Sequence, residues 1–164
     1  TTAAWARAMW SLPARKAADN SIGGMLRRAL GEGHRITDQA PAEELHELRK
    51  TCKKLRYLLE FFQCLYPREA MTPLLKTLKG LQDHLGEFQD LEVHWRALRD
   101  FSQQMSSPRP VPPATLVAMG MLAEGLRNRQ QRIRGEFAKR FAEFAGPHNR
   151  RLFRELFGKG KRPP

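Results

Sequence analysis

Apolar residues recur every three or four positions along this chain, and no stretch alternates apolar and polar residues as a half-buried strand does. The clearest run has spacings of four, three, four and three residues and is formed by Leu74, Leu78, Leu81, Leu85 and Phe88. Such a heptad seam is typical of helices that pack against antiparallel neighbours. With 164 residues, of which 41% are hydrophobic, the chain is long enough for one domain with its own core. The pattern therefore predicts an all-α fold, an antiparallel bundle of long helices, over residues 1–164 as a single domain.

Prolines and glycines predict where the helices of the first two thirds begin and end. We expect residues 1–31 to form one or two short helices, interrupted at Pro13 and ending at Gly31. A connector at 33–41 leads into a helix from Pro41 to about Tyr66. Thr72 is expected to cap the next helix, with Pro73 at its first position, and Gly86 is expected to break it.

The last third begins with a proline-rich loop at 106–113. A long helix at about 114–146 should follow, with an apolar side made of Leu116, Met119, Leu126, Ile133, Phe137, Phe141 and Phe144. A short helix at 148–157 and a basic, flexible tail at 158–164 complete the prediction.

The charge of the chain is strongly positive, with 29 Lys and Arg against 17 Asp and Glu and a formal net charge of +12. The balance is +3 in residues 1–40, zero in 41–107 and +9 in 108–164. Such a surplus favours a polyanionic partner: nucleic acid, a phosphate polymer or an anionic membrane surface.

The two cysteines and the apolar runs bear on the cellular compartment. Cys52 and Cys64 lie ~18 Å apart along one helix at ~1.5 Å per residue, too far for a disulfide bond. We interpret both as reduced thiols in the core, which favours the cytoplasm. No signal peptide is recognisable, and no apolar run reaches the ~20 residues of a membrane span.

The stretch ELHELRKTCKKLRYLLEFF, residues 44–62, segregates charge on one helix. Its leucines, Cys52 and Phe62 share one half of the helical circumference. The opposite half carries His46, Arg49, Lys50, Lys53, Lys54 and Arg56. Like charges three or four residues apart repel, so the stripe costs stability unless it is solvated or meets an anion. We interpret it as a track for phosphate groups, because Lys offers a point charge and Arg a planar fork for their oxygens.

Two blocks of sequence resemble the CHAD domain family of histidine-containing α-helical domains. The first is His46, Arg49-Lys50 and Lys54-Leu55-Arg56-Tyr57; the second is Leu81-Gln82, Leu85-Gly86 and Asp90. The firm match covers about residues 40–100. The resemblance implies two similar helical-bundle halves with a basic cleft between them, and binding of inorganic polyphosphate. It implies that His46, Arg49, Lys50, Lys53, Lys54 and Arg56 contact the polyanion.

The matching blocks resemble the C-terminal half of the family pattern, and residues 1–40 hold no copy of the first half. We therefore expect self-association or pairing with an N-terminal half from elsewhere. The family is often joined to a triphosphate-processing domain, so an accessory role in such an enzyme is an alternative.

Other residue groups leave further alternatives open. A second basic set, either a solvated face or a support for the same cleft, is formed on the long helix by Arg127, Arg132, Arg134, Lys139 and Arg140, of which the first three are the candidate supporting residues. His84, Asp90 and His94 could be imagined as metal ligands, but we predict no metal, no cofactor and no catalytic residues. Asp90 is instead expected to cap a following helix or to pair with a basic residue of the stripe. A helical module binding RNA or DNA through the basic last third is the main alternative to polyphosphate, although aromatic residues suited to base stacking are sparse.

Overall fold

The computed structural model describes residues 2–105 and 110–158, with side chains from Pro13 onward. In these ranges the chain forms five α-helices: α1 (Thr2–Arg35), α2 (Ala42–Phe62), α3 (Arg68–Met105), α4 (Pro113–Phe144) and α5 (Pro147–Phe157). A 3-10 turn (Gln63–Leu65) follows α2. The described ranges contain no strand, which confirms the all-α bundle. The tail at 159–164 and loop residues 106–109 lie outside the described residues.

Helix α1 is unbroken, so the predicted interruption at Pro13 and the predicted end at Gly31 are both wrong. Its second half is held by burial of Ala18, Ile22, Leu26 and Ala29, which recur at spacings of four, four and three residues. The helix itself continues through Pro13 and beyond Gly31, where the buried Gly33 packs against Phe141 of α4. Tertiary packing therefore outweighs local propensity here.

Helix α3 is also continuous, which corrects the predicted cap at Thr72 and the predicted break at Gly86. Thr72 lies inside the helix, where its hydroxyl donates to the Arg68 carbonyl oxygen at 2.9 Å. The predicted heptad seam is fully buried from Leu74 to Phe88 and extends to Leu91. Burial of this seam on both sides of Gly86 stabilises the helix across the glycine.

The bundle is arranged in chain order, with α2 packed between α1 and α3, and α4 packed along α3. The C-terminal half of α4 also reaches the end of α1. There, Phe141 lies edge-on to His34 with ring centroids 5.1 Å apart, and Gly33 leaves the space that the Phe141 ring occupies. Arg134 Nη1 donates to the carbonyl oxygens of Asp38 and Ala40, tying α4 to the connector between α1 and α2.

Helix α5 packs across α1 and α3. Its buried Asn149 donates from Nδ2 to Thr77 Oγ1 of α3 at 2.8 Å and to the Phe144 carbonyl oxygen at 3.0 Å. Phe153 packs on Phe144, and Phe157 packs on Tyr66, with ring centroids 5.7 and 5.1 Å apart. The short predicted helix is thus confirmed, and it is part of the core.

The far ends of α3 and α4 extend beyond α2. Arg96 of α3 pairs with Glu43 in the first turn of α2 at 3.2 Å, so the remaining nine residues of α3 continue for about 14 Å. Of the predicted apolar side of α4, Ile133, Phe137, Phe141 and Phe144 are buried, whereas Leu116 is exposed. The prediction fails at Leu116 because the bundle does not reach the first turns of α4.

The cysteines differ in environment. Cys52 is buried in the core, as predicted, and burial raises the pKa of its thiol to about 12. Cys64 is exposed, so its assignment to the core is wrong.

No helix in the described ranges has an apolar stretch of the length needed to cross a lipid bilayer.

Candidate functional site

Helix α2 is fixed rigidly because its inner face is buried along the whole length. Leu45, Leu48, Cys52, Leu55 and Leu59 are almost completely inaccessible to solvent. The carboxylates of Glu43 and Glu44 lie in its first turn, where they interact favourably with the helix dipole. The pKa of the Glu43 carboxyl is lowered, mainly because its carboxylate accepts a hydrogen bond from the backbone N–H of Glu43 and, to a smaller extent, because it accepts one from Arg96.

The outer face of α2 carries the predicted cations. We call the five side chains Arg49, Lys50, Lys53, Lys54 and Arg56 the cationic ridge; all are exposed or half-buried. They cover about 10 Å of the helix axis at ~1.5 Å per residue. The segregation predicted from the sequence is therefore present in the structure.

Most of the ridge lacks a nearby carboxylate. Lys50 pairs with Glu47 at 2.5 Å and Arg56 pairs with Glu60 at 3.3 Å, in both cases within α2. No carboxylate in the described ranges lies within 4.0 Å of the charged groups of Arg49, Lys53 and Lys54. These three cations therefore remain available to an anion from outside the chain.

A groove of about 460 Å³ runs between the ridge and α3. One wall is formed by Arg49, Lys53 and Arg56 of α2; the other is formed by Gln82, Asp83, Gly86, Glu87 and Asp90 of α3. The sequence blocks quoted above thus face each other across this groove. Gly86 lies directly across the groove from Arg49, because a Cβ added at Gly86 would be in ordinary contact with Arg49 Nε at 3.8 Å.

The carboxylates of the α3 wall are partly neutralised by other cations. Asp83 pairs with Lys79 at 2.8 Å, and Glu87 accepts hydrogen bonds from Arg129 of α4 at 2.5 and 3.0 Å. Asp90 has no ion pair within the described ranges, and because α3 continues through it, the predicted cap at Asp90 is wrong. The acidic wall therefore narrows the groove without forming ion pairs with the ridge.

A family model, the CHAD domain, matches residues 1–99, which include α1, α2 and most of α3. The chain belongs to the CHAD domain family. The match extends further towards the N-terminus than the firm resemblance at about 40–100. No curated protein matches the chain at a significant level.

The histidine of the CHAD pattern lies apart from the ridge. His46 lines a separate hollow of about 210 Å³, together with Glu43, Glu47, Glu92 and Arg96. Its Nδ1 is buried and has no hydrogen-bond partner in the described ranges. Three carboxylates and a single arginine line this hollow, whereas three cations line the groove beside the ridge, so the hollow is the less favourable place for phosphate. The predicted contact of His46 with a polyanion stays a prediction.

The second basic set lies on another side of this CHAD domain. Arg127 and Arg134 line a groove of about 390 Å³ between α4 and the α1–α2 connector. Arg127 lies over the Trp95 ring, with its guanidinium carbon 5.1 Å from the ring centroid, and Arg134 lies over Phe88 at the same distance. Arg132 is exposed on the same helix. The structure therefore does not bring Arg127, Arg132 and Arg134 into the groove beside the ridge.

Two features of the site were missed by the sequence interpretation. The first is the role of Asp83 and Glu87 as walls of the groove; their spacing of four residues on α3 was the available signal. The second is Phe61, which continues the outer face of α2 beyond Tyr57 and is exposed rather than buried.

Within the described ranges, no cluster of three His, Cys, Asp or Glu side chains could hold a metal ion.

Proposed function

We propose that this CHAD domain binds inorganic polyphosphate along the cationic ridge, without catalysing a reaction on it. The observation that carries the proposal is that Arg49, Lys53 and Lys54 lie on the outer half of a rigid helix, beside or outside the groove, without carboxylate partners. Family membership supports the same function, since the CHAD pattern is associated with polyphosphate.

The energetics of the ridge favour a polyanionic ligand. Cations three or four residues apart on a helix repel one another by a few tenths of a kcal/mol for each pair. A chain of phosphates removes this repulsion and releases its own condensed counterions, so binding should weaken steeply as salt is added. Because the buried leucines hold α2 in place, little ordering of the backbone accompanies binding.

The groove divides the ridge into two paths that a phosphate chain could follow. Arg49, Lys53 and Arg56 point towards it, whereas Lys50 and Lys54 lie on the open face. Lys53 is exposed and also lines the groove, so a phosphate chain on either path would contact it. Charge reversal at Lys53 and Arg56 therefore tests both paths.

Calorimetric titration with long-chain polyphosphate, comparing the wild type with the double variant Lys53→Glu, Arg56→Glu, tests the proposal. A matched control, Lys139→Glu with Arg151→Glu, makes the same change of net charge on α4 and α5, away from the groove. We expect a large loss of affinity in the ridge variant and a small one in the control. Equal losses in the two variants would mean that net charge, not the ridge, determines binding.

Two further measurements separate this proposal from its alternatives. Competition at equal phosphate concentration should show that RNA displaces polyphosphate poorly; easy displacement would favour a nucleic-acid module. Chain-length analysis of polyphosphate after incubation with Mg²⁺ or Mn²⁺ should show no shortening, and shortening would identify an enzyme.

A further inference from the structure

Two exposed aromatic side chains continue the outer face of α2 past the ridge. Tyr57 is 50% exposed, and Phe61, at 76%, is the most exposed large hydrophobic residue among the side chains described from Pro13 onward. They are four residues apart, so they lie on one face about 6 Å from each other along the helix axis. Their direction matches that of Lys50 and Lys54, which precede them on the same face.

Cations flank the first of these rings. The Lys53 Nζ and the Arg56 Cζ lie 5.8 and 5.6 Å from the centroid of the Tyr57 ring. Both distances are within the reach of a cation–π interaction, so the ring lies among the cations of the ridge. Phe61 is braced by the half-buried Phe62, with ring centroids 4.8 Å apart and planes at 89°, so its own ring faces solvent in a defined orientation.

A single exposed aromatic residue is ordinary on a protein surface. Two at helical spacing, next to unpaired cations, form a surface on which a flat ring can stack while an attached phosphate reaches the ridge. Stacking of a nucleobase on such rings is tolerant of base identity, because every base has a π face.

The arrangement along α2 distinguishes between kinds of base-containing ligand. In a single-stranded nucleic acid, phosphates and bases alternate, and a surface that follows them needs aromatic rings interleaved with cations. Here the cations of the ridge come first and both rings come last. That polarity matches a ligand with a run of phosphates and one base at its end.

We propose that the ridge and the Tyr57–Phe61 pair together bind a nucleoside oligophosphate, with the phosphates on Arg49, Lys50, Lys53 and Lys54 and the base on the two rings. This inference rests on the proposed phosphate-binding function of the ridge. It adds a base-binding end that inorganic polyphosphate does not use.

Adenosine triphosphate and inorganic tripolyphosphate, titrated without metal ions, provide the test. Both ligands have three phosphates, and the nucleotide carries less negative charge because one terminal phosphate is esterified. Tighter binding of the nucleotide would therefore report on the base. We expect at least about a fivefold advantage for the nucleotide, with NMR shifts of the Tyr57 and Phe61 ring protons that tripolyphosphate does not cause.

The double variant Tyr57→Ala, Phe61→Ala should lose this advantage while binding tripolyphosphate as the wild type does. The matched control is Phe101→Ala, which removes an exposed phenylalanine from α3 and should change neither affinity. Circular dichroism verifies that the variants are folded.

Each other outcome overturns the inference in a distinct way. Equal affinity for the two ligands overturns the base-binding end and leaves the proposed polyphosphate function intact. If neither these ligands nor long-chain polyphosphate binds, the proposed function fails as well. If the double variant alters the sedimentation coefficient and leaves nucleotide binding unchanged, the rings belong to a contact between copies of the chain.

Discussion

Two glycines near the end of α1 provide a sharp test of the fold, because alanine should stabilise the protein at one position and not at the other. Gly31 is exposed, and a Cβ added there meets no atom within 4 Å. Gly33 is buried, and a Cβ added there would overlap the ring of Phe141 from α4. Both lie inside α1, which ends at Arg35.

The magnitudes follow from helix propensity and packing. Replacing glycine by alanine inside a helix stabilises it by about 0.5–1 kcal/mol, which is the whole effect expected for Gly31→Ala. Gly33→Ala gains at most the same amount but overpacks the contact with Phe141, at a cost of about 1–3 kcal/mol. The free energies of unfolding of the two variants should therefore differ by about 1–3 kcal/mol. For a chain of this size that corresponds to a separation of about 2–12 °C in Tm.

Thermal and urea unfolding followed by circular dichroism measures both effects. We expect Gly31→Ala to unfold above the wild type and Gly33→Ala below Gly31→Ala. If Gly31 ended the helix in a left-handed conformation, Gly31→Ala would instead lower the Tm, and the unbroken α1 would be wrong. If both variants were stabilised equally, α4 would not pack against the end of α1.

The remaining predictions concern pH and the groove. His84 is only 8% exposed at the α3–α4 contact, and burial lowers its pKa, with Arg140 adding to the effect and Ile133, Glu136 and Glu87 opposing it. Because the neutral form of His84 is favoured in the folded state, the free energy of unfolding should fall as the pH drops below the ordinary value of 6.5. Urea unfolding at several pH values should show a weaker decline for His84→Leu than for the wild type. An equal decline in the variant would mean that His84 does not cause the loss of stability. Gly86→Leu should fill the groove without changing its charge and should weaken polyphosphate binding several-fold. The control Gly80→Leu, at a position outside the groove where an added Cβ meets nothing within 4 Å, should not weaken binding. Equal affinities for the two variants would place the polymer on the open face of the ridge only.

The helices could be predicted from apolar periodicity; the start of α2 and both ends of α4 and α5 were predicted to within about two residues, whereas the limits of α1 and α3 were not. The seam from Leu74 to Phe88 gave α3 its core face, and the segregation of leucines from cations gave α2 its orientation. Local signals at Pro13, Gly31 and Gly86 predicted breaks that do not occur. Continuity at these positions depends on partners that are distant in sequence, such as Phe141 against Gly33, and single-residue propensities do not contain that information.

The candidate site was predictable to a similar degree. The outward direction of the ridge followed from helical geometry alone. Helical geometry did not predict that Arg49, Lys53 and Lys54 would lack carboxylate partners. Two of the α3 carboxylates pair instead with Lys79 and Arg129, and these pairs depend on side-chain conformations and on the packing of α4 on α3. The surroundings of His46 and the separation of Arg127 and Arg134 from the ridge likewise depend on tertiary packing.

The salt dependence of polyphosphate affinity tests most directly whether the ridge itself holds the polymer. With about 0.7 counterions released per contact, as for single-stranded nucleic acids, five cations give a slope of log K against log salt of about −3.5. The variant Lys53→Glu, Arg56→Glu retains three of them and should show a slope of about −2, while the Lys139→Glu, Arg151→Glu control should keep the wild-type slope. Identical slopes for the two variants would contradict binding at the ridge.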